Sequence, residues 1–294
     1  MVSKNTKSII FLILIIICLS SCQSAPKTAD VVLETIQILP LRQGAIAYVF
    51  ADVQDAMPII SMLPVEGWLS DGYVKQMVDR TDFAMVAIFP YESGQSLQLA
   101  GWGNYPNSRA RTLFRVSKNW KRQRSESGQT FWHSTPYRSS LAMSSRQVFV
   151  AVAIEDKPID PFETGAVIPD GFTDFRRGAP LSCWVENPAP MLSRALSQAG
   201  IPLRFPVQQL FVNLFKMNED EFEAEIRLQF QNVSQARGMY TLLNLAGGFL
   251  ADDHDSVIAA LFLANTPVFN RNNVDLRTAP LSEIEVKQLL DMFF

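Results

Sequence analysis

The segment Met85-Val-Ala-Ile-Phe89 recurs 126 residues later as Phe211-Val-Asn-Leu-Phe215, and this recurrence decides how the chain is organised. At the same offset the sequence pairs Ser108-Arg-Ala-Arg111 with Ser234-Gln-Ala-Arg237, Val148 with Val274, and Val150 with Leu276. A constant offset through strand, helix and strand patterns favours an internal duplication over chance similarity of apolar runs. The period is too long for a solenoid, whose units run to roughly 20–50 residues.

Hydrophobic periodicity then gives a similar succession of elements in both halves. Strands are predicted over 45–51, 82–90, 96–103, 147–154, 181–185, 207–216, 221–231 and 273–278, with one more near Leu141. Helices are predicted over 53–62, 71–78, from 107 or 108 onward, and over 189–198, 233–245, 256–264 and 282–293. We expect an α+β fold of two related halves, each an antiparallel sheet with helices on one face.

The predicted boundaries follow from changes in composition. Residues 33–155 form the first half, a proline- and glycine-rich connector covers 156–180, and 181–294 form the second half. Whether the two sheets join stays open at this point.

The first 22 residues have a leader pattern. Lys4 and Lys7 precede an apolar stretch from Ser8 to Leu19, which is too short to cross the roughly 30 Å hydrocarbon core of a membrane. The segment Leu19-Ser-Ser-Cys22 follows and resembles the lipobox of bacterial lipoproteins. The resemblance implies a signal peptide over 1–21 and lipidation of Cys22, palmitate included. A secretory signal or membrane anchor with an incidental cysteine is the alternative.

The lipobox resemblance also implies a location in the cell envelope. Residues 22–32 form a short polar tether with a reach of at most roughly 35 Å. Gln23 is not the aspartate that retains lipoproteins in an inner membrane, so the outer membrane is favoured, with the face left open. In general organisation the remainder resembles lipoproteins of spirochaetes and similar bacteria, a resemblance that implies no activity.

Charge and cysteine content exclude some classes. The chain has 26 basic and 29 acidic residues, and loss of Lys4 and Lys7 would leave 24 and 29, a net charge of −5. That balance argues against nucleic-acid binding. With Cys18 removed and Cys22 lipidated, Cys183 would remain alone, without a disulfide. Its apolar surroundings favour a small core residue over a nucleophile.

Catalytic and metal-binding patterns are weak. His133 lacks ligands at metal spacing, and Asp252-Asp-His-Asp255 precedes a predicted helix, where acids cap free amides. The acidic run from Glu219 to Glu225 alternates with apolar residues and favours the solvated side of a strand. We expect no metal, no cofactor and no enzymatic activity. A hydrolase using Asp252, Asp253 or His254 is the weakest alternative.

A basic segment is the main candidate for binding. Seven cations and no acid lie between Arg109 and Arg124. If the helix continued to Arg122, four cations would share one face within about 60° and Trp120 would lie nearby. These four are Arg111, Arg115, Lys118 and Arg122. The stripe could meet anionic lipid headgroups, an anionic envelope polymer or an acidic protein. A solvated face balanced by acids from elsewhere is the alternative.

The function hypotheses follow from these features. A non-enzymatic, membrane-anchored envelope lipoprotein that binds or scaffolds another envelope component agrees with most of them. The alternative is a binder of small ligands or glycans that uses a cleft between the halves. Aromatic residues that could stack on a glycan, although core packing is favoured, are Trp102, Tyr105, Trp120, Phe131, Trp132 and Tyr137.

Overall fold

The computed structural model describes residues 44–62, 78–91, 94–136, 138–143, 148–153, 161, 171–176, 178–190, 192–193, 206–218, 221–250 and 266–293. The predicted signal segment, Cys22 and the tether lie outside these residues, as do the cluster around His254 and the predicted helix over 256–264. The described chain divides into two compact units. Residues 44–55 and 78–161 belong to the first unit, and 56–62 and 171–293 to the second.

The first unit contains a seven-stranded antiparallel sheet in the order β1-β2-β3-β7-β6-β5-β4. Its strands are β1 (Ala47–Asp52), β2 (Thr81–Tyr91), β3 (Gly94–Gly103), β4 (Lys121–Arg124), β5 (Thr130–Ser134), β6 (Ser139–Met143) and β7 (Val148–Ala153). Helix α1 (Val53–Ile60) follows β1, and its residues 53–55 belong to the first unit and 56–60 to the second. Helix α2 (Asn107–Val116) follows β3 in the first unit. The predicted hairpin of β2 and β3 is confirmed.

One face of the β1–β2–β3 region is buried and the other is half-exposed. Phe50 opposes Met85, which opposes Ala100, and all three are fully buried. On the other face, the cross-strand row of Val49, Val86 and Leu99 is only half-buried. Because strand side chains alternate between faces, the core of this unit lies on the Phe50 side.

The second unit contains a five-stranded antiparallel sheet in the order β11-β12-β10-β9-β8. Its strands are β8 (Leu181–Glu186), β9 (Val207–Lys216), β10 (Phe222–Phe230), β11 (Val268–Asn270) and β12 (Asn273–Arg277). Its helices are α3 (Phe172–Phe175), α4 (Val233–Leu250) and α5 (Glu283–Phe293).

Helix α4 covers the apolar face of this sheet. Ala236, Met239 and Leu243 are buried, and Tyr240 packs on Phe269 of β11 with ring centroids 5.9 Å apart. Strand β10 alternates strictly between buried apolar and half-exposed polar residues. The prediction that the Glu223–Glu225 part of the acidic run lies on the solvated side of a strand is therefore confirmed.

The two units repeat one strand order and largely one register. Ala100 of β3 pairs with Val150 of β7, and their equivalents at the 126-residue offset, Ile226 and Leu276, are themselves partners. In both units three successive strands are neighbours, and a strand after the helix pairs with the third. The predicted α+β fold of two related halves is confirmed. Strand β11 lies beside β12 as β6 lies beside β7, so the first unit differs by the extra strands β4 and β5.

The condition for a single basic stripe, a helix that continues to Arg122, is not met, because α2 ends at Val116 and a turn at Lys118 and Asn119 leads into β4. The turn lets Trp120 pack edge-on against Phe114, with ring centroids 5.3 Å apart. Trp120 is only 6% exposed. Burial of its ring therefore favours the turn over continuation of the helix beyond Val116. In contrast, α4 continues past its predicted end to Leu250. Among the described residues, no helix has the length and apolarity needed to span a membrane.

A candidate binding surface on the first unit

Helix α2 presents cations to solvent while its apolar side packs inward. Phe114 is 3% exposed and packs on Trp132 of β5 with ring centroids 5.2 Å apart. Arg111 and Arg115, four residues apart, are exposed and therefore neighbours on the outer face of the helix. Arg115 lies in the last turn, where a positive charge interacts favourably with the helix dipole.

Strand β4 continues this positive charge along the end of the sheet. It pairs with β5 so that Arg122 opposes Trp132 and Arg124 opposes Thr130. Directly opposed residues share a face of a sheet, so both arginines lie on the side where α2 packs. The Arg122 guanidinium donates a hydrogen bond of 3.1 Å from Nη2 to Thr130 Oγ1, which fixes its direction along the strand.

We define the basic surface as the exposed cations of α2, the turn and β4. Its members are Arg111, Arg115, Lys118, Lys121, Arg122 and Arg124. Within the part of the chain that the structure describes, no carboxylate forms an ion pair with any of them. The four predicted partner-binding cations thus belong to this surface, although two elements and a turn supply them instead of one helix. Trp120 is excluded because it is buried.

The second unit shows that the fold does not require this charge. At the 126-residue offset, Arg111 corresponds to Arg237, but the other three predicted cations correspond to uncharged residues. These are Thr241, Asn244 and Gly248. An equivalent helix therefore forms without a run of cations. Like charges four residues apart also cost a helix about 0.2–0.5 kcal/mol, so Arg111 and Arg115 do not serve helix stability as a pair.

His133 occupies the interior of the first unit. Its Nδ1 lies 3.0 Å from Ser140 Oγ, and the two residues are 4% and 0% exposed. Burial and the nearby charge of Lys121 lower the pKa of His133 below its ordinary value. A histidine–serine pair at hydrogen-bond distance resembles a nucleophile and its base, but burial keeps both from a substrate. The pair therefore packs in the interior of the first unit, which agrees with the absence of metal-ligand spacing around His133.

Cys183 is chemically quiet. It lies in β8 opposite Val212, and burial raises the pKa of its thiol to about 12. The thiol is therefore protonated at neutral pH, whereas the thiolate is the reactive form. The residue as a whole is half-buried, so Cys183 lies at the margin of the core and not fully inside it as predicted.

The second unit has an open depression of about 620 Å³ that sequence reasoning missed. Asp174, Phe175, Glu225, Arg227, Asp275 and Arg277 contribute to its lining. Arg227 is paired with Asp275, and Arg277 with Glu223 and Glu225, so both guanidinium groups are already neutralised. The sequence shows the charged residues of β10 and β12 that line this depression, but their pattern does not predict a concave surface.

No cluster of three or more histidine, cysteine, aspartate or glutamate residues suited to a metal ion occurs within the described ranges. Of the six aromatic residues considered for glycan stacking, Tyr105, Trp120, Phe131 and Trp132 are buried. For these four the favoured prediction of core packing is confirmed.

Comparison with known proteins identifies a fold neighbour. Three crystal forms of TP0453, a treponemal lipoprotein, resemble the chain. Their TM-scores are 0.56, 0.55 and 0.55, at 16%, 15% and 14% sequence identity. The matches cover 84%, 85% and 86% of this chain and 93%, 95% and 95% of those chains. No protein-family model matches the chain. No curated protein matches it either. The similarity is one of fold.

Proposed function

We propose that the protein is a lipid-anchored component of a bacterial envelope that binds another, anionic or acidic, envelope component without catalysing a reaction. Two independent features support the location. The segment Leu19-Ser-Ser-Cys22 resembles a lipobox, and the fold resembles that of a treponemal lipoprotein. By the rule for Gln23, the anchoring membrane is the outer one.

The observation that carries the binding role is the basic surface. Six exposed cations without carboxylate partners among the described residues stand out in a chain whose net charge is −3. Repulsion between Arg111 and Arg115 does not stabilise α2. The equivalent helix of the second unit, α4, forms without such a run of cations. An anionic partner would neutralise the basic surface, gaining Coulomb energy and raising the association rate at low ionic strength.

The test is crosslinking in cells of the lipidated full-length chain, followed by mass spectrometry. A basic-surface variant carries Arg111→Gln, Arg115→Gln, Lys118→Gln and Arg122→Gln. A matched control removes four cations from the second unit, by Lys216→Gln, Arg237→Gln, Arg271→Gln and Lys287→Gln. Both variants change the net charge equally, so total charge cannot explain a difference between them.

We expect a partner that crosslinks to the wild type and to the control variant but not to the basic-surface variant. Capture of the same partners by all three proteins would show that the basic surface is a solvated face and would reject the binding role assigned to it. Retention of the protein in the membrane after Cys22→Ser would separately reject the lipid anchor.

A further inference from the structure

We propose that the outer edge of β4 binds an extended acidic segment of the partner as an additional β-strand. This inference rests on the proposed function, because it assigns a binding mode to the basic surface. Strand β4 is the terminal strand of its sheet and pairs with β5 on one side. Among the described residues no strand pairs with its other side, which therefore presents backbone N–H and C=O groups that an added strand can bond.

The side chains of β4 select the charge of that strand. Lys121, Arg122 and Arg124 are exposed, and they project to both faces because neighbouring residues alternate. Residues opposite them in an added strand would be direct cross-strand neighbours, where opposite charges stabilise the pair and like charges destabilise it. The acidic side chains of an added strand would therefore form favourable charge pairs with β4 on either face of the sheet.

The same charges exclude pairing with a second copy of this chain. Two β4 strands placed edge to edge would bring six cations together without an acid. The edge therefore discriminates by repulsion against itself as well as by attraction to an acidic strand. Because the strand has only four residues, its side chains and the adjacent α2 arginines must supply much of the affinity.

The terminal strand of the second unit argues against general edge protection as the reason for these cations. Strand β11 reads Val268-Phe-Asn270, also ends its sheet, and carries no charge. Val268 there is 60% exposed. Within the described chain, one terminal strand tolerates an exposed apolar side chain while the other carries three cations, so the charge on β4 is specific to that edge.

The test uses the full-length lipidated chain in neutral detergent and an acetylated Glu-Thr repeat octapeptide as the probe. A second probe has the same charge but N-methyl groups at alternate residues, which remove amide donors along one edge and obstruct strand pairing. We expect the N-methylated probe to bind at least about tenfold more weakly, since several backbone hydrogen bonds to the edge of β4 are lost. We also expect amide hydrogen exchange of Lys121–Arg124 to slow when the unmodified probe binds.

Two variants locate the contact. Replacement of Lys121, Arg122 and Arg124 by Gln should abolish probe binding. Replacement of Arg111, Arg115 and Lys118 by Gln should weaken it less. Equal binding of the two probes, without slower exchange in β4, would overturn strand addition and leave an electrostatic contact, so the proposed function would survive. If the wild type binds neither probe, strand addition is rejected. The proposed function is tested separately, by the crosslinking comparison of the wild type with the two variants.

Discussion

Asp275 of β12 accepts two hydrogen bonds from Arg227 of β10, one from Nε at 2.7 Å and one from Nη2 at 3.0 Å. The two side chains are both 29% exposed, and the guanidinium carbon lies 5.0 Å from the centre of the Phe175 ring. This contact fixes three elements of the second unit relative to one another: β10, β12 and α3. Hydrogen bonding to Asp275 also raises the pKa of Arg227.

We expect this pair to stabilise the fold more than the neighbouring pair of Arg277 and Glu225, because Arg277 is 53% exposed. Double-mutant cycles with Arg227→Met and Asp275→Asn should give a coupling free energy of about 1 kcal/mol. The same cycle with Arg277→Met and Glu225→Gln should give a smaller value. Chemical denaturation measures both, and equal coupling in the two cycles would contradict the role of burial and bidentate geometry.

Replacement of Gly101 and of Gly103 in β3 by alanine should destabilise the fold, but only the loss at Gly101 should be reduced by a second substitution. A Cβ at Gly101 would lie 2.6 Å from Tyr105 Oη, which contacts Thr81 Oγ1 at 3.0 Å. A Cβ at Gly103 would instead lie 1.9 Å from the backbone oxygen of Arg80. Gly101→Ala should cost about 1–3 kcal/mol, and adding Tyr105→Phe should recover part of the loss because the obstructing hydroxyl is gone.

Gly103→Ala should be more destabilising, because no side-chain truncation moves the Arg80 carbonyl. Thermal unfolding of the three single variants and of both combinations with Tyr105→Phe measures the difference. Recovery of Gly103→Ala by Tyr105→Phe would show that the two sites do not differ as the geometry indicates.

The stability of the first unit should fall at acid pH through His133. Burial and Lys121 keep the folded-state pKa of His133 below the ordinary value of 6.5, so the folded chain favours the neutral ring. As the pH falls below 6.5, the unfolded chain binds a proton that the folded chain resists, and the free energy of unfolding decreases. The loss continues until the pH passes the folded-state pKa.

Unfolding measured from pH 8 to 5 checks this. The stability difference between the wild type and His133→Gln should shrink as the pH falls, since the variant cannot take up that proton. Lys121→Gln should reduce the pH dependence without removing it, because burial is the larger cause. A difference that stays constant over this range would rule out His133 as the group responsible.

Cys183 should react with thiol reagents much faster when the fold opens than in the folded protein. Its pKa of about 12 leaves little thiolate at pH 8, where an unfolded cysteine with a pKa near 8.5 is partly ionised. In the lipidated protein, modification by a disulfide reagent should be slow in buffer and fast in denaturant. Rapid reaction of the folded protein would contradict the packing role.

Arg111→Gln should leave the stability unchanged or raise it by about 0.2–0.5 kcal/mol, because it removes a like-charge neighbour four residues before Arg115. Arg115→Gln should not give this gain, since Arg115 also interacts favourably with the C-terminal end of α2. Chemical denaturation of the two single variants measures the contrast. A loss of 1 kcal/mol or more (well above the roughly 0.5 kcal/mol of an ordinary surface change) for Arg111→Gln would indicate a structural partner for that side chain.

The sequence predicts most of the fold because its strands have one buried and one wetter face. Strand β10 alternates Phe222, Ala224 and Ile226 with Glu223 and Glu225, and its boundaries were predicted within one residue. The duplication is detectable in the sequence because β10 and β12 pair in the same register as β3 and β7. A retained register keeps apolar residues at equivalent positions, and sequence comparison detects those positions.

Strand β4 could not be predicted because its sequence, Lys121-Arg-Gln-Arg124, has no apolar period. An edge strand can expose both faces, so its pattern does not differ from that of a solvated helix. The same composition suggested a longer helix, and the burial of Trp120 against Phe114, a tertiary contact, decided otherwise. The cations of the candidate site were thus found by composition, whereas their arrangement on two elements required the structure.

The matching ladders of the two units have a consequence for how the chain reaches its native state. Six consecutive residues of β1 pair with β2 from Ala47 and Ile88 onward, and six of β8 pair with β9 from Leu181 and Leu214, which is the equivalent of Ile88. Each first strand therefore fits the geometry of the wrong second strand during synthesis. Such chains risk kinetic traps in which homologous segments exchange partners. Sequence divergence between the two copies makes the exchanged pairings unequal in energy. Ser182 of β8 donates a hydrogen bond to Asn213 of β9, and the equivalent position in β2 is Ala87, which cannot accept it.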